Sequence, residues 1–433
     1  MNYEECQKYL EEIQRSGIKL GLETTRTVLS SFDNPQDKYP SLLVAGTNGK
    51  GSVCAMLAQI LAAHGYRVGL YTSPHLVRVE ERIRIGQTLI STQDFCHLLT
   101  VLRKQIEDLL KKKEIASCPT YFEVLTMLAF LFFEKENVDM AVLEVGMGGR
   151  FDATNVASPL VSVITEISKD HQEFLGSQLS QIAFEKAGII KPAVPVVCGV
   201  RGGVAQRVIR KRAREIGAPY HGVFGRKTHF LARKREGNFS FFYEMDGTRY
   251  SFSPSLKGEH QGRNAAVAIA SAAVLSKTWR KLEKQKIIEG IENTQWEGRL
   301  EIVSSHPLII LDGAHNEGGA KVLRSYIQNF VPAPLILVFA IMRDKEIGKI
   351  INILFPLASK IIISHFPSQR ASSPEEIEAK ARKFQERIIL EPDLKKAIQM
   401  ALAASRSSQG SVLITGSLFL IGEVKKLLAQ KSI

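Results

Sequence analysis

The chain has 433 residues, about two to three times the usual length of one domain, so we expect two folded units. Charged residues make up 23% and apolar residues 45%, a globular composition that excludes disordered and fibrous proteins. The net charge of +13 suits anionic partners such as nucleotides, polycarboxylates, nucleic acid or acidic lipid, without choosing among them.

The cysteines and the apolar runs bear on location. No CxxC pair occurs, and the five scattered cysteines are typical of reduced thiols in a cytoplasmic protein. They are Cys6, Cys54, Cys96, Cys118 and Cys198. Residues 1–5 are acidic where a secretory signal is basic, and the longest apolar run, Val124–Phe133, is about half of a membrane span. We therefore expect a soluble cytoplasmic protein with no membrane partner.

The first part of the chain predicts a parallel α/β sheet. A surface helix over 3–15 is followed by a buried strand at 42–45, a glycine-rich turn, a helix over 52–64 and a strand at 67–71. Later strands are expected at 140–145, 161–167 and 195–198, and the clearest helices at 94–113 and 121–135.

The pattern changes after residue 226. Alternating segments over 226–253 surround the hairpin signal Met245-Asp246-Gly247-Thr248. Helices are expected at 262–276 and 282–292, and then strands at 308–312, 335–341, 360–364 and 411–415. The alternation of strands and helices that restarts after Trp296 predicts a domain boundary near Gly298, which gives domains 1–297 and 298–433.

Residues 201–235 form a basic segment with eleven Lys or Arg and one acid, Glu215. Part of it, Val204–Ile216, has helical spacing, which favours a solvated helix face. A nucleic-acid patch would bring interleaved exposed aromatic residues or a recognised module, and neither is evident. We therefore expect no nucleic-acid partner.

A glycine-rich loop, Gly46-Thr47-Asn48-Gly49-Lys50-Gly51-Ser52, lies between a predicted strand and a predicted helix. Backbone N–H groups and the helix dipole converge on an anion at such a place, Lys50 supplies positive charge, and the Ser52 hydroxyl suits Mg²⁺. The spacing departs from GxxxxGK[ST]. An ordinary strand–helix turn with a surface lysine is the alternative, and the flanking pattern favours a phosphate loop.

Two later strands end in residues that suit the same site. Glu144 closes one strand, and in open α/β sheets ligands bind beyond the carboxyl ends of the strands. A carboxylate there could meet a metal held by Ser52. His171 follows the strand predicted at 161–167, and Lys186 lies where a helix stops near Gly188. By residue type alone, His171 is a hydrogen-bonded loop residue and Lys186 a solvated lysine.

Three further segments lie near the predicted boundary. His260-Gln261-Gly262-Arg263-Asn264 opens a helix, Trp296-Glu297-Gly298-Arg299 marks the junction, and Leu311-Asp312-Gly313-Ala314-His315-Asn316 ends a strand. An Arg and an Asp at a seam between domains could hold phosphate and ribose. Caps, turns or an interdomain ion pair are equally compatible with these residues.

Seven motifs occur in one order along the chain. They are GTNGKGS at 46–52, TSPHL at 72–76, LEVGMGGRFDATN at 143–155, DH at 170–171, EKAGI at 185–189, HQGRN at 260–264 and DGAHN at 312–316. Together they resemble the folylpolyglutamate and dihydrofolate synthases of the Mur ligase superfamily, from Gly21 to Ser417. The resemblance implies a P-loop-containing Mur-ligase-type α/β domain followed by a smaller Rossmann-like α/β domain.

The resemblance also implies sites for ATP and for two Mg²⁺ ions. The ATP positions are Gly46, Thr47, Asn48, Gly49, Lys50, Gly51, Ser52, Asn264, Arg299 and Asp312. The metal positions are Ser52, Ser73, Glu144, His171 and Lys186. Lys186 matches a lysine that carries a carbamate, which turns a cation into an anionic oxygen ligand. Residues with catalytic roles are Lys50, His171, Lys186 and His315.

The acceptor positions come from two segments. They are Thr120, Tyr121, Phe122 and Glu123, with Phe151, Asp152 and Ala153, and they match segments that hold dihydropteroate. Thr120 and Glu123 also form a capping box, and both roles can coexist. His315 and Ser417 match residues on the glutamate-binding side of the active site in that family. Glu317 replaces the usual Pro after DGAHN and Glu297 is unusual within WxGR, which puts the local turns in doubt.

The implied reaction is ATP-dependent amide formation. A carboxylate of dihydropteroate or folate attacks the γ-phosphate, and the amine of L-glutamate displaces phosphate from the resulting acyl phosphate. Two alternatives stay open: a cell-wall Mur ligase acting on a UDP-muramyl acceptor, and a nucleic-acid-dependent P-loop ATPase. TSPHL at 72–76 and the segment TYFE at 120–123 favour a folate acceptor. We expect the protein to be a monomer.

Overall fold

The computed structural model describes residues 1–14, 17, 21–226 and 228–430. Two large sheets dominate the fold, and a small antiparallel sheet lies between them in sequence. Arg15, the last residue of the helix predicted over 3–15, and Lys227 of the basic segment lie outside the described residues.

The first sheet has eight strands in the order β4-β3-β2-β5-β1-β6-β7-β8. The six strands from β2 to β8 run parallel, and β3 and β4 add an antiparallel edge. The strands are β1 Ser41–Ala45, β2 Val68–Tyr71, β3 Ile83–Ile85, β4 Thr88–Leu89, β5 Met140–Glu144, β6 Val161–Ile164, β7 Val196–Cys198 and β8 Tyr220–Gly222. Their carboxyl ends form one edge of the sheet.

Helices cover both faces of this sheet. On β1, Leu43 and Ala45 pack into one core, and Leu42 and Val44 pack into the other, because successive side chains of a strand alternate between faces. The helices of this part are α1 Tyr3–Gln14, α2 Glu23–Ser30, α3 Lys50–Ala63, α4 Thr92–Lys111, α5 Tyr121–Lys135, α6 Gln172–Leu175, α7 Leu179–Ala187 and α8 Gly203–Glu215.

A three-stranded antiparallel sheet and two helices follow. They are β9 Thr228–Arg235, β10 Asn238–Met245, β11 Thr248–Phe252, α9 Glu259–Thr278 and α10 Lys284–Glu292. Asp246 and Gly247, which join β10 to β11, both have positive φ, the backbone that a two-residue hairpin turn requires. The predicted hairpin is therefore confirmed. Helix α9 packs against α3 and thereby holds the helix that follows the phosphate loop.

The second sheet has six strands in the order β12-β13-β17-β14-β15-β16, all parallel except β12. Its strands are β12 Glu301–Ser305, β13 Leu308–Asp312, β14 Leu335–Phe339, β15 Lys360–Ile363, β16 Ile388–Leu390 and β17 Ser411–Thr415. Its helices are α11 Glu317–Phe330, α12 Ile347–Leu354, α13 Pro374–Glu378, α14 Leu394–Ser408 and α15 Leu418–Ala429. Two apolar cores, one on each face, enclose this sheet.

Several predicted bounds are wrong at the carboxyl ends of strands. The strand predicted over 161–167 ends at Ile164, and the one predicted over 335–341 ends at Phe339. Apolar residues continue past both ends because the connecting segments are buried as well, so hydrophobicity alone does not mark where pairing stops. The short strands β3, β4, β8, β12 and β16, which lie at or next to sheet edges, gave too little alternation to be predicted.

The basic segment behaves as a solvated helix face. Ala205, Ile209 and Ala213 of α8 are buried, and the Arg and Lys residues between them lie towards solvent. This confirms the interpretation of the segment around 204–216 as an amphipathic surface helix. Within the part of the chain that the structure describes, none of the helices is both long enough and apolar enough to cross a bilayer.

Close packing of α10 on α3 generates a stability prediction. A Cβ added at Gly290 would lie 2.5 Å from Ile60 Cα and 2.7 Å from Ile60 N, and backbone cannot move aside cheaply. We expect Gly290→Ala to lower the free energy of unfolding by about 3 kcal/mol, measured by urea denaturation. Gly348→Ala is the control, since nothing lies within 4 Å of its added Cβ. Equal stability of both variants would contradict this packing.

Candidate functional site

A cavity of about 1070 Å³ lies where the carboxyl ends of the two sheets face each other. The first sheet contributes the loops that follow β1, β5 and β6, and the second contributes the loop that follows β13. Of the predicted site residues, Ser417 alone is not part of the cavity lining. Ser52 in the first turn of α3, Glu144 at the end of β5 and His171 just before α6 therefore border one space.

The phosphate loop joins β1 to α3. Gly49 has a φ of 85° immediately before α3, and a Cβ there would lie 2.4 Å from Asn264 Oδ1. Only glycine fits both constraints. Lys50 starts the helix rather than ending the loop, and its Nζ donates to the carbonyl oxygens of Gly46, at 3.2 Å, and Thr47, at 3.3 Å. The ammonium thus lies across the loop, where it can meet a phosphate.

A chain of side-chain hydrogen bonds connects the start of α3 with the start of α9. Gln261 Nε2 donates to Ser52 Oγ at 3.2 Å, and Asn264 Nδ2 donates to Gln261 Oε1 at 2.9 Å. Gln261 and Ser52 are almost fully buried. The sequence analysis quoted Gln261 within HQGRN without giving it a role; its position three residues before Asn264, one helical turn away, was the available signal.

Glu144 ends β5 as predicted and is only 4% exposed. Its Oε2 accepts a hydrogen bond from the backbone N–H of Ser73 at 3.0 Å. Burial raises the pKa of this carboxyl, although the charge of Lys50 and the hydrogen bond from Ser73 oppose the shift. A carboxylate removed from water in this way is stabilised by any cation that enters the cavity.

Lys186 is buried, so its interpretation as a solvated lysine is wrong. It lies in the last turn of α7, and its Nζ donates to Gly46 O, at the end of β1, at 2.7 Å. Burial, and then the nearby charge of Lys50, lowers the pKa of Lys186 to about 7. A large fraction of this amine is therefore neutral at physiological pH, unlike that of a surface lysine.

His171 precedes α6 in a left-handed backbone conformation with a φ of 49°. Burial lowers the pKa of His171 to about 4, although Asp170 opposes the shift. The imidazole is neutral at pH 7 and so retains a nitrogen lone pair for a metal or a proton. The β6 strand ends seven residues earlier, at Ile164, so a loop rather than the strand itself carries His171 to the cavity.

Asp170 is the polar centre of the cleft. Its Oδ1 accepts from Lys345 Nζ at 2.9 Å, and its Oδ2 accepts from Asn316 Nδ2 at 3.3 Å and lies 3.5 Å from His315 Nε2. Burial alone would raise the pKa of Asp170, but His315, His171 and Lys345 hold it well below its usual range. Lys345 was not predicted, because a lysine beyond the end of a strand carries no distinctive signal.

The junction of the two sheets holds Arg299 and Asp312 at the cavity. Asp312 Oδ2 accepts from Leu300 N and Oδ1 from Ala314 N, both at 2.9 Å. Burial raises the pKa of Asp312, and Arg299 opposes that shift. The carboxylate therefore fixes both turns around it, which is the capping role left open above, and it still borders the cavity.

Two residues on the predicted glutamate side differ in position. His315 lines the cavity, and its Nδ1 donates to Gly313 O at 2.8 Å, which leaves Nε2 directed to Asp170. Ser417 is 3% exposed and caps α15, where its Oγ accepts from Phe419 N at 3.2 Å. The structure thus gives Ser417 a capping contact, while its neighbour Phe419 borders the cavity.

The TYFE segment starts α5 with the expected capping box. Glu123 Oε2 accepts from Thr120 N at 2.7 Å, Thr120 Oγ1 accepts from Glu123 N at 3.4 Å, and Thr25 Oγ1 donates to the other Glu123 oxygen at 3.0 Å. The capping interpretation is confirmed. The rings of Tyr121 and Phe122 border the same cavity, so the segment is available to a ligand as well.

The second predicted acceptor segment follows β5. Asp152 is buried, and its carboxylate accepts from Met147 N at 2.9 Å and from Thr154 Oγ1 at 2.6 Å. These bonds close the glycine-rich loop after Glu144. Phe151 is 38% exposed beside the cavity, with the Arg150 guanidinium 4.3 Å from its ring centroid. Ala153 also lies in the lining.

The protein side chains at the cavity would hold Mg²⁺ only together with oxygen donors from a bound ligand or from a modified side chain. Among the residues described, no three His, Cys, Asp or Glu side chains are arranged to hold one metal ion. Mg²⁺ prefers oxygen donors and keeps several waters. The buried carboxylate of Glu144 and the hydroxyls of Ser52 and Ser73, which all border the cavity, supply such donors, and phosphate oxygens would complete them.

The two departures from the family pattern do not disturb the turns. Glu317 opens α11 under the cap of Asn316, and its side chain extends to Lys321 and Lys349. Glu297 forms an ion pair with Lys425 at 2.7 Å. Both acids therefore lie on charged outer surfaces and leave the geometry of the cavity intact.

The chain is similar to known proteins over nearly its whole length. A model of the Mur ligase middle domain matches residues 44–272, and a model of the Mur ligase glutamate ligase domain matches residues 298–418. The chain is 34% identical to a dihydrofolate synthase/folylpolyglutamate synthase of Bacillus subtilis, over 98% of this chain and 99% of the relative. It is 35% identical to a folylpolyglutamate synthase of Lacticaseibacillus casei, with 100% of both chains covered.

Two solved structures are similar over the whole chain. Folylpolyglutamate synthase of Mycobacterium tuberculosis, complexed with ADP and AMPPCP, has a TM-score of 0.91 and 30% identity, covering 98% of this chain and 99% of that chain. Escherichia coli FolC in complex with DHPP and ADP has a TM-score of 0.89 and 26% identity, covering 100% and 99%.

Burial of Glu144 generates a prediction about pH. The folded pKa lies above the unfolded one, so the carboxyl destabilises the fold increasingly as pH rises through its titration range. Gln at this position retains the oxygen that accepts from Ser73. We expect Glu144→Gln to increase the free energy of unfolding at neutral pH, and the gain to shrink as the pH falls and the wild-type carboxyl protonates. A constant difference across this range, in urea titrations, would contradict the burial argument.

Proposed function

Since the chain belongs to the folylpolyglutamate and dihydrofolate synthases of the Mur ligase superfamily, we propose that it adds L-glutamate to dihydropteroate, to folates and their polyglutamates, or to both, through an acyl phosphate. It is an ATP-dependent acid–amino-acid ligase that forms a C–N amide bond. The observation that carries the proposal is the single cavity bordered by the phosphate loop, Glu144, Lys186 and the DGAHN loop of the second sheet.

We propose a division of labour between domains 1–297 and 298–433. The first holds the nucleotide phosphates and the acceptor, because the phosphate loop, TYFE and the loop after β5 all belong to it. The second delivers glutamate, since its wall of the cavity carries the cations Lys345 and Arg370 beside His315. Cations suit an amino acid that has two carboxylates.

Activation of the acceptor depends on charge neutralisation. A carboxylate is a poor electrophile, and phosphorylation replaces an oxide leaving group with phosphate. The carboxylate oxygen attacks the γ-phosphorus, the bond to the β-phosphate oxygen breaks, and ADP leaves. Lys50 and the amides at the start of α3 stabilise the negative charge on the transferring group.

Two Mg²⁺ sites belong to the proposal. Ser52, Ser73 and Glu144 would hold one ion with phosphate oxygens, and His171 with a carbamate on Lys186 would hold another. The ions would supply neutralisation of phosphate charge. The neutral imidazole of His171 and the partly neutral amine of Lys186 support this assignment, because both are in the form that such binding requires.

Amide formation completes the cycle. The amine nitrogen of glutamate attacks the acyl carbon, the bond to the phosphate oxygen breaks, and the nitrogen loses a proton. Water competes with this amine, so closing the cavity between both sheets protects the intermediate. We propose a monomer, because both walls of the cavity come from one chain. Action in the cytoplasm is part of the proposal, because the cysteines at the described positions form no disulfide bonds.

Assays of two acceptors, side by side, test the proposed function. We expect ADP formation that depends on dihydropteroate, on tetrahydrofolate monoglutamate, or on both, with one amide per ADP. Lys50→Ala and Glu144→Ala should lower turnover by at least about a hundredfold while the far-UV spectrum is retained, because each removes charge stabilisation at the phosphates. Turnover near that of the wild type in either variant, or a UDP-muramyl acceptor preferred over both pterins, would reject the assignment.

The carbamate on Lys186 has its own test. We expect intact-mass spectra at neutral pH with bicarbonate to show one added CO₂, because a substantial part of the buried amine is neutral there. Lys186→Ala should remove this mass and lose turnover by at least about a hundredfold, and short carboxylates should restore part of it by supplying the missing oxygens. Lys191→Ala is the matched control, a second partly buried lysine whose Nζ donates to Asn155 O outside the cavity. Absence of both the mass and the rescue would end the carbamate hypothesis.

A further inference from the structure

Asn316 connects the two sheets through one amide group. It follows β13, and its Nδ2 donates to Asn48 Oδ1 at 2.9 Å and to Asp170 Oδ2 at 3.3 Å. Asn48 belongs to the phosphate loop, and Asp170 belongs to the loop after β6. Two loops of the first sheet therefore share a donor that comes from the second sheet.

The other end of the same amide is fixed to its own domain. Asn316 Oδ1 accepts from Gly319 N at 2.8 Å and so caps α11, and the residue is 5% exposed. A backbone N–H can only donate and an ionised Asp170 can only accept, so the orientation of the amide is determined. Asn316 therefore connects the first turn of α11 directly with Asn48 in the phosphate loop.

The first turn of α11 is shaped to allow this approach. A Cβ added at Gly318 would lie 2.9 Å from Asn48 Nδ2 and 3.3 Å from Ser168 Oγ, so a side chain there would crowd these two side chains of the loops after β1 and β6. Lys345, from the loop after β14, adds a second connection to Asp170 at 2.9 Å. The contact between the sheets is thus direct, polar and located beside the phosphate loop.

We propose that Asn316 is a positioning residue that holds the glutamate-binding wall against the phosphate loop while the acyl phosphate exists. The inference rests on the proposed function. In the productive route the glutamate nitrogen bonds to the acyl carbon, the C–O bond to phosphate breaks, and the nitrogen loses its proton. In the wasteful route the oxygen of water takes the place of that nitrogen and regenerates the carboxylate. Asn316 favours the first route by holding the glutamate-binding wall at a fixed position beside the phosphate loop.

Two substitutions separate this connection from the helix cap. Asn316→Ser and Asn316→Asp both keep an oxygen that can cap α11, and both lose the amide NH₂ group that donates to Asn48 and Asp170. The aspartate variant also places a carboxylate next to Asp170. Asn329→Ser is the matched control, because Asn329 lies in the same helix, is exposed, and bonds only to Ser325 O among the contacts described.

The measured quantity is phosphate released per amide formed, with ATP, L-glutamate and whichever acceptor the wild type uses. We expect about one for the wild type and for Asn329→Ser, and an increase of about fivefold or more for both Asn316 variants. The KM for glutamate should rise more than the KM for ATP. Unchanged thermal midpoints together with a raised ratio support positioning, because loss of folded protein lowers both products equally.

A ratio that stays near one in both Asn316 variants would overturn the inference, as would an effect confined to the KM for ATP. Should the Asn316 variants unfold at a lower temperature than Asn329→Ser, the ratio measured well below their thermal midpoints decides, because unfolded protein forms neither product. A wild type that releases no acceptor-dependent phosphate contradicts the proposed function itself, which is a distinct result.

Discussion

Charges that are buried between two sheets need partners from both sides, and this requirement organises the cleft. Asp170 comes from the first sheet, while Lys345, His315 and Asn316 come from the second. Side chains that are less than about a tenth exposed, as those of Asp170 and Lys345 are, would be costly to leave unpaired. The two sheets therefore stabilise each other at the place where the chemistry needs them to meet.

Burial also sets the charge state of the groups around the cavity. It lowers the pKa of Lys186 and His171 and raises the pKa of Glu144 and Asp312. These groups are poorly solvated, so phosphate, a divalent ion or a substrate carboxylate can supply interactions that burial has removed. Burial of these ionisable groups lowers the stability of the fold, and it prepares the site to bind charged ligands.

Close packing of small residues brings the loops together. Because glycine has no side chain, Asn264 packs closely against Gly49, the backbone of Ile60 against Gly290, and Asn48 against Gly318. Each lies where two elements that are far apart in sequence touch near the cavity or support it. All three contacts involve the phosphate loop or the helix α3 that follows it, and no hydrophobic pattern points to them.

Local sequence determined the elements and the motif positions. Helix α5 and strand β13 have the predicted bounds, the hairpin at Asp246 is present, and Glu144 ends its strand. Periodicity and turn chemistry act over a few residues, which is why they can be interpreted without a structure. Tertiary structure alone decided that Lys186 is buried, that β6 stops at Ile164, and that Asn316 reaches Asn48. These facts depend on contacts between residues as far as 268 positions apart, and no spacing within one segment encodes such a distance.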